Sequence, residues 1–364
     1  MVQALRVLVV GLGHMGLSHA MAYDRIDGYE LAGLCYLPEA TPTSLPAHWS
    51  KLPHFSDFGE ALAKVKPDVV SINSWSNTHA DYAVRAFAAG AHVFLEKPMA
   101  ETVEDAKRVV AAAKAAKRKL VIGYILRHHP SWLKLMELAK GLGKPLVMRM
   151  NLNQQSIGPA WTWHRTLMRT LSPIVDCGVH YVDVMAQITG AKPVKVHAIG
   201  ARLTEEIPAG MYNYGQLQVT FDDGSIGWYE AGWGPMMSEV AFFVKDIIGP
   251  KGAVSIVMSE QGAGKGEGDS ATSSSSTDTH VKTSTLRLHH AALKGDNTLA
   301  KADEVFRMDD EPGHDDLCER EQRFLLNAIR TDADLTLHME EAVTSLSIVL
   351  AADRSIRENR VVEL

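Results

Sequence analysis

The sequence predicts an α/β chain of two domains, a doubly wound parallel sheet followed by an α+β region on a mainly antiparallel sheet. Three observations carry this. The first third alternates short apolar runs with helical patterns, and strands separated by helices join in parallel through right-handed crossovers. After about residue 130 the rhythm changes to strands joined by tight turns. The length, 364 residues, also exceeds one ordinary core of about 100–200 residues.

Arg6 to Val10 is a buried-strand run, and His14 to Ile26 has helical spacing with Met15, Ala22 and Ile26 at apolar positions. Leu31 to Leu37 is a second strand, Ala61 to Val65 a helix, Asp68 to Asn73 a third strand and Thr78 to Ala89 a helix. His92 to Leu95, Val103 to Ala116 and Leu120 to Tyr124 continue as strand, helix, strand. Farther on, Lys144 to Asn153 and Val194 to Arg202 read as strands. Gln216 to Phe221 and Ser225 to Tyr229 flank the hairpin turn Asp222-Asp223-Gly224. Phe242 to Ile248 and Ala253 to Met258 flank Gly249-Pro250-Lys251-Gly252. Two helices, about Asp315 to Arg330 and Met339 to Asn359, precede the tail Arg360 to Leu364. The expected domains are residues 1–125 and 126–364, with a C-terminal helix and tail that pack back near the first. Ser259 to Ser284, rich in Gly and Ser, reads as a flexible loop, because such a composition buries little apolar surface.

Composition excludes several classes. The chain is 46% hydrophobic and 22% charged, as a globular protein is, and its net charge of −6 gives no reason to bind nucleic acid or an anionic membrane. No apolar run approaches the roughly 18 residues of a membrane span, and Met1 to Leu5 lack signal-peptide anatomy. Cys35, Cys177 and Cys318 are far apart, so neither a disulfide framework nor a zinc motif is read, which suits a reducing cytoplasm. The pairs His128-His129 and His289-His290 project apart, and no metal is expected.

Gly11-Leu12-Gly13-His14-Met15-Gly16 follows the first strand and opens a helix. Gly11 permits a tight turn, Gly13 lets backbone approach a pyrophosphate, and Gly16 lets helix and strand pack closely. Free amides at the helix start then face the phosphates. This context predicts a dinucleotide. Tyr36 stands where an acidic residue would hold the adenosine ribose, with Glu39 in the next loop as a substitute. No Lys or Arg occurs between Arg25 and Lys51 to meet a 2′-phosphate, which favours NAD over NADP.

Glu96-Lys97-Pro98 follows the fourth strand, where loops line the ligand crevice of a parallel sheet. That places Lys97 near the nicotinamide end. In Ser172 to Asp183, Ser172 and Pro173 suit an N-cap and first helical position, and Gly190 suits the helix end. Asp176 and His180 are four apart on one helical face, with Asp183 on the same side. Gly178 costs about 1 kcal/mol against Ala inside a helix, so a close approach by another backbone or a ligand is expected there. In Trp161-Thr162-Trp163-His164-Arg165, the tryptophans either face a sugar ring or pack in the core. Trp163 and His164 are the candidate pocket residues.

Together these segments resemble the glucose–fructose oxidoreductase / inositol dehydrogenase / rhizopine-catabolism family (Gfo/Idh/MocA). The resemblance rests on the glycine turn, Asn77-Thr78-His79, Gly90 to Pro98, Asp176-x-Gly178-x-His180-x-x-Asp183 and Arg360 to Leu364. It implies a Rossmann domain, then an α+β domain whose large open sheet forms a homodimer or homotetramer. It implies an NAD(P)-dependent oxidoreductase that moves a hydride to or from a secondary alcohol of a sugar, inositol or related polyol. By residue it implies Lys97, Asp176 and His180 for catalysis. For the cofactor it implies Gly11, Gly13, His14, Met15, Gly16, Tyr36, Ser74, Trp75, Asn77, His79, Glu96 and Lys97. Arg127, from Gly123 to Pro130, is a substrate or interface contact. Three residues depart from the family pattern: Tyr36 for an acid, Trp75 for a proline and Ile125 for an asparagine. Two other readings of the fold stay open, a non-catalytic NAD(P)-sensing regulator and an NAD-dependent glycosidase.

Overall fold

The computed structural model describes residues 3–37, 45–238, 244–257 and 285–364. Glu39, the loop Ser259 to Ser284, the first residues of the Phe242 strand and Met258 lie outside the described residues. The chain divides into two compact units: Met1–Ile125 with Pro312–Val343, and Leu126–Glu311 with Thr344–Leu364.

The first unit holds six parallel strands: β1 (Leu5–Val10), β2 (Tyr29–Cys35), β3 (His54–Phe55), β4 (Val69–Ile72), β5 (His92–Leu95) and β6 (Leu120–Ile122). Their order is β3-β2-β1-β4-β5-β6. Direction reverses beside β1, so the carboxyl ends of β1 and β4 open a crevice, the usual ligand position in such sheets. Apolar β1 and β4 are buried on both faces, which explains their unbroken Val/Leu/Ile runs. The connecting helices are α1 (His14–Arg25), α2 (Phe58–Val65), α3 (Ser76–Ala88) and α4 (Val103–Ala116). Asp57 caps α2 by accepting from Glu60 N, and Thr102 caps α4 by accepting from Asp105 N. The two-residue edge strand β3 carries no readable period and is absent from the sequence-based expectation.

The second unit holds nine strands: β7 (Val147–Gln155), β8 (Pro193–Ala201), β9 (Tyr214–Phe221), β10 (Ile226–Gly234), β11 (Lys245–Gly249), β12 (Gly252–Ile256), β13 (Thr285–His290), β14 (Glu304–Arg307) and β15 (Val362–Glu363). The order is β14-β13-β12-β11-β7-β10-β9-β8-β15. All neighbours run antiparallel except β7 and β10, which pair in parallel from Ile226↔Val147 to Gly234↔Gln155. Four helices accompany the sheet: α5 (Pro130–Lys140), α6 (Gly158–Leu167), α7 (Pro173–Asp176) and α8 (Gly178–Thr189). One sheet face buries Met148, Met150, Val219, Tyr229 and Ile247. On the other, Ile248, Val147 and Ile226 stand side by side in register and exposed.

The last helices are α9 (His314–Arg330) and α10 (Thr336–Glu358). Leu325, Leu326 and Ala328 of α9 complete the core of the first unit with Val7, Val9, Tyr23 and Trp49. Tyr23 Oη donates to Gln322 Oε1 at 2.5 Å, and Tyr29 Oη to Gln322 O at 2.9 Å.

Candidate active site

In the first unit the carboxyl ends of β1, β4 and β5 are tied together. Gly11 turns at φ 82°, and a Cβ there would lie 2.6 Å from Asn73 O. A Cβ at Gly16 would lie 1.8 Å from Gly11 O, so the helix meets the turn only because that position is glycine. At Gly13 a Cβ would meet nothing within 4 Å. No side chain caps α1 and no acid stands in its first turn, so its amides suit an anion. These glycines therefore fit a dinucleotide pyrophosphate. Gly13 and His14 are exposed and Met15 is half-buried.

After β4, Ser74 Oγ pairs with Thr78 Oγ1 at 2.6 Å, while Trp75 and Asn77 are exposed. Two residues expected to touch the cofactor are also tied into the structure of these loops. His79 is buried, with Nδ1 at 2.8 Å from Pro98 O and Nε2 at 2.9 Å from Ser74 O. It ties the loop after β4 to that after β5, and burial pushes its pKa below the usual imidazole value. Glu96 is also buried, its Oε1 against His19 Nε2 at 2.8 Å and its Oε2 accepting from Lys97 N at 3.0 Å. Burial alone would raise the Glu96 pKa, but the His19 hydrogen bond and the charges of His19 and Lys97 hold it below the usual carboxylate value. Both residues shape the cradle. Lys97 itself is half-buried, two residues beyond the end of β5. Tyr36 Oη pairs with His54 Nδ1 at 2.7 Å.

In the second unit, Ser172 caps α7 as expected, accepting from Val175 N at 3.1 Å. The single helix expected up to Gly190 is instead two, α7 and α8, meeting at Cys177. His180 N bonds Cys177 O at 3.2 Å, a tightened i→i−3 step. A Cβ on Gly178 would lie 2.9 Å from the Tyr229 ring. A tyrosine, neither backbone nor ligand, accounts for that glycine. Asp176 thus closes α7, and His180 lies in the first turn of α8, both half-buried. Gly190 ends α8 at φ 61°, as expected.

Arg127, expected at the substrate or an interface, forms a buried two-pronged pair with Asp183, Nε to Oδ2 at 2.8 Å and Nη2 to Oδ1 at 2.6 Å. Asp183 also accepts from Ser345 Oγ and Gln187 Nε2, each at 2.8 Å. This aspartate anchors α8. The tryptophans separate: Trp161 is buried and donates to Glu206 at 3.2 Å, whereas Trp163 is 51% exposed. His164 is buried and stacks on Trp233, centroids 4.3 Å apart and planes within 2°. Trp233 Nε1 donates to Gln154 Oε1 at 2.6 Å, which also takes Cys177 Sγ at 3.5 Å. Gln154 therefore joins the ends of β7 and β10 to the α7–α8 junction. Sequence reasoning missed Gln154 and Trp233. Their signal was positional, since each lies one residue before the end of a long strand.

Residues 5–124 match a family model described as the oxidoreductase family, NAD-binding Rossmann fold, and residues 134–255 match the GFO/IDH/MocA C-terminal domain. An inositol 2-dehydrogenase of Paracoccus denitrificans (strain Pd 1222) is 29% identical over 185 residues, 50% of this chain and 53% of that protein. A UDP-N-acetylglucosamine 3-dehydrogenase of Acidithiobacillus ferrooxidans is 31% identical over 196 residues, 54% of this chain and 58% of that one. The chain thus spans a little over half the length of these curated relatives. The crystal structure of the WlbA dehydrogenase from Bordetella pertussis, with NADH and UDP-GlcNAcA, superposes with a TM-score of 0.75. It covers 100% of this chain and 99% of that one at 22% identity, which establishes a shared fold. Among the described residues no helix is long and apolar enough to cross a membrane.

Proposed function

Because the chain belongs to the Gfo/Idh/MocA oxidoreductase family, we propose that it is an NAD-dependent dehydrogenase or reductase acting on a secondary alcohol or ketone of a sugar, inositol or related polyol. One observation supports the reading: Lys97 follows β5 by two residues, at the same carboxyl edge of the parallel sheet as the glycine turn that follows β1. The names of the relatives support the substrate class.

When bound, the dinucleotide supplies hydride chemistry at nicotinamide C4. Lys97 donates a hydrogen bond to the reacting oxygen and stabilises the negative charge that develops there. His180 takes the hydroxyl proton, a task suited to an imidazole near neutral pH. Asp176 holds a neighbouring hydroxyl or orients Lys97 or His180. In the reverse direction the same groups return the proton. Tyr36 and the absence of Lys or Arg between Arg25 and Lys51 favour NAD. The apolar row Ile248, Val147 and Ile226 supports assembly into a homodimer or homotetramer through the open sheet face.

The test is a spectrophotometric screen over inositols, aldoses, their lactones and keto-sugars with both cofactors. Turnover with a higher kcat/KM for NAD is expected, and Lys97→Ala or His180→Ala should lower kcat by about 10²–10⁴-fold. Wild-type turnover in both variants would overturn the assignment. Tight cofactor binding with no turnover on any compound would favour a regulator instead.

A further inference from the structure

A cluster of chemically active side chains lies behind Glu96, outside the site just described. A ring nitrogen of His19, the sulfur of Cys318 and an oxygen of Glu321 all lie within 4.8 Å of one another, and all three residues are buried. Cys318 and Glu321 are three apart on α9 and so share a face, and His19 comes from α1. His314, one turn before Cys318, brings Nδ1 to 3.9 Å from Sγ. We propose that His19, Cys318 and Glu321 bind a divalent cation of the zinc class inside the first unit.

Two independent features support this. Neither carboxylate oxygen of Glu321 has a hydrogen-bond partner, although the residue has no exposed surface. A buried orphan carboxyl is costly, and a cation relieves it. His19 is also already arranged as metal-bound histidines are, with Nε2 held by the Glu96 carboxylate at 2.8 Å. Its Nδ1 accepts from Gln322 Nε2 at 3.0 Å, and that amide is the group a cation would displace. The donor set of one imidazole, one thiol and one carboxylate suits zinc, with His314 the nearest further donor for a tetrahedron. Burial pushes the Cys318 thiol and the Glu321 carboxyl above their usual pKa values. Bound metal would stabilise them as thiolate and carboxylate. It would also cross-link α1 to α9 behind the glycine turn. The spacing of the cysteines gives no hint of this, because His19 and Cys318 lie at opposite ends of the chain.

The test loads the full chain, stripped with chelator, with zinc or cobalt(II). Expected are about one ion per chain, a raised melting temperature and, with cobalt, a thiolate charge-transfer band. Cys318→Ser should abolish the band, while Cys35→Ser and Cys177→Ser keep it. Glu321→Gln, close in shape but without the carboxylate, should abolish the thermal shift. No uptake and no band in the wild-type chain would overturn the proposal. So would equal uptake and an equal band in Cys318→Ser, which would place the ion elsewhere. The wild-type measurement decides even if a variant fails to fold.

Discussion

Lys245 places an ammonium where water is nearly excluded. It is 4% exposed, donates to Asn151 O at 2.8 Å and lies 5.4 Å from the centre of the Tyr181 ring. Burial lowers its pKa from 10.5 to about 7. Between those values the unfolded chain binds more protons than the folded one, so raising the pH through that window stabilises the fold. Lys245→Met removes this dependence. The variant should exceed wild type in stability most at pH 7 and below, with the advantage shrinking towards about pH 10. Denaturant midpoints across that range are the check, and a difference independent of pH would show that the lysine does not titrate there. The residue scale is also where sequence reading reached furthest and stopped soonest. The family resemblance picks out His79, Glu96 and Arg127, because they lie in its contiguous motifs. Their partners are Pro98 O, His19 and Asp183. Those come from other segments, and no local pattern encodes them.

Among elements, the β1–α1 turn is the most tightly constrained. The 1.8 Å approach of a Cβ on Gly16 to Gly11 O is to backbone, which cannot swing aside as a side chain does. Gly16→Ala should therefore cost about 1–3 kcal/mol or more and weaken NAD binding, since the amides of α1 must move. Calorimetric titration together with thermal melting measures both effects. Unchanged NAD affinity would separate the turn from the cofactor. This turn was legible because its glycines, strand and helix are contiguous. The same holds for Ser172 and Gly190 at the ends of the α7–α8 segment. The reason for glycine at 178 was not legible, because the ring it must clear is Tyr229 on a strand far along the chain. Strand β14 was missed for another reason. It is short and at an edge, and Glu304–Arg307 carries little apolar period.

At the scale of the whole molecule, the alternation of strands and helices pointed to a first domain of residues 1–125 with a C-terminal helix packed back near it, and the first unit joins Met1–Ile125 to Pro312–Val343. The open face of the second sheet supports a prediction. Ile226 is 47% exposed beside Val147 and Ile248, and a charge there would not be tolerated in a buried interface. Ile226→Lys should shift the chain from oligomer to monomer in light scattering with little loss of melting temperature, since about half of the residue is already exposed in the isolated sheet. A monomeric wild type would refute the assembly. The link between Tyr23 and Gln322, 299 residues apart in sequence, has a consequence for synthesis. When the ribosome has made the first 125 residues, the parallel sheet has its strands, but the surface of α1 that meets α9 is still bare. Its cover arrives only after the entire second sheet up to β14 has emerged. A nascent chain stalled between those points would carry exposed Tyr23 and His19, which makes that interval the one in which a chaperone has most to protect.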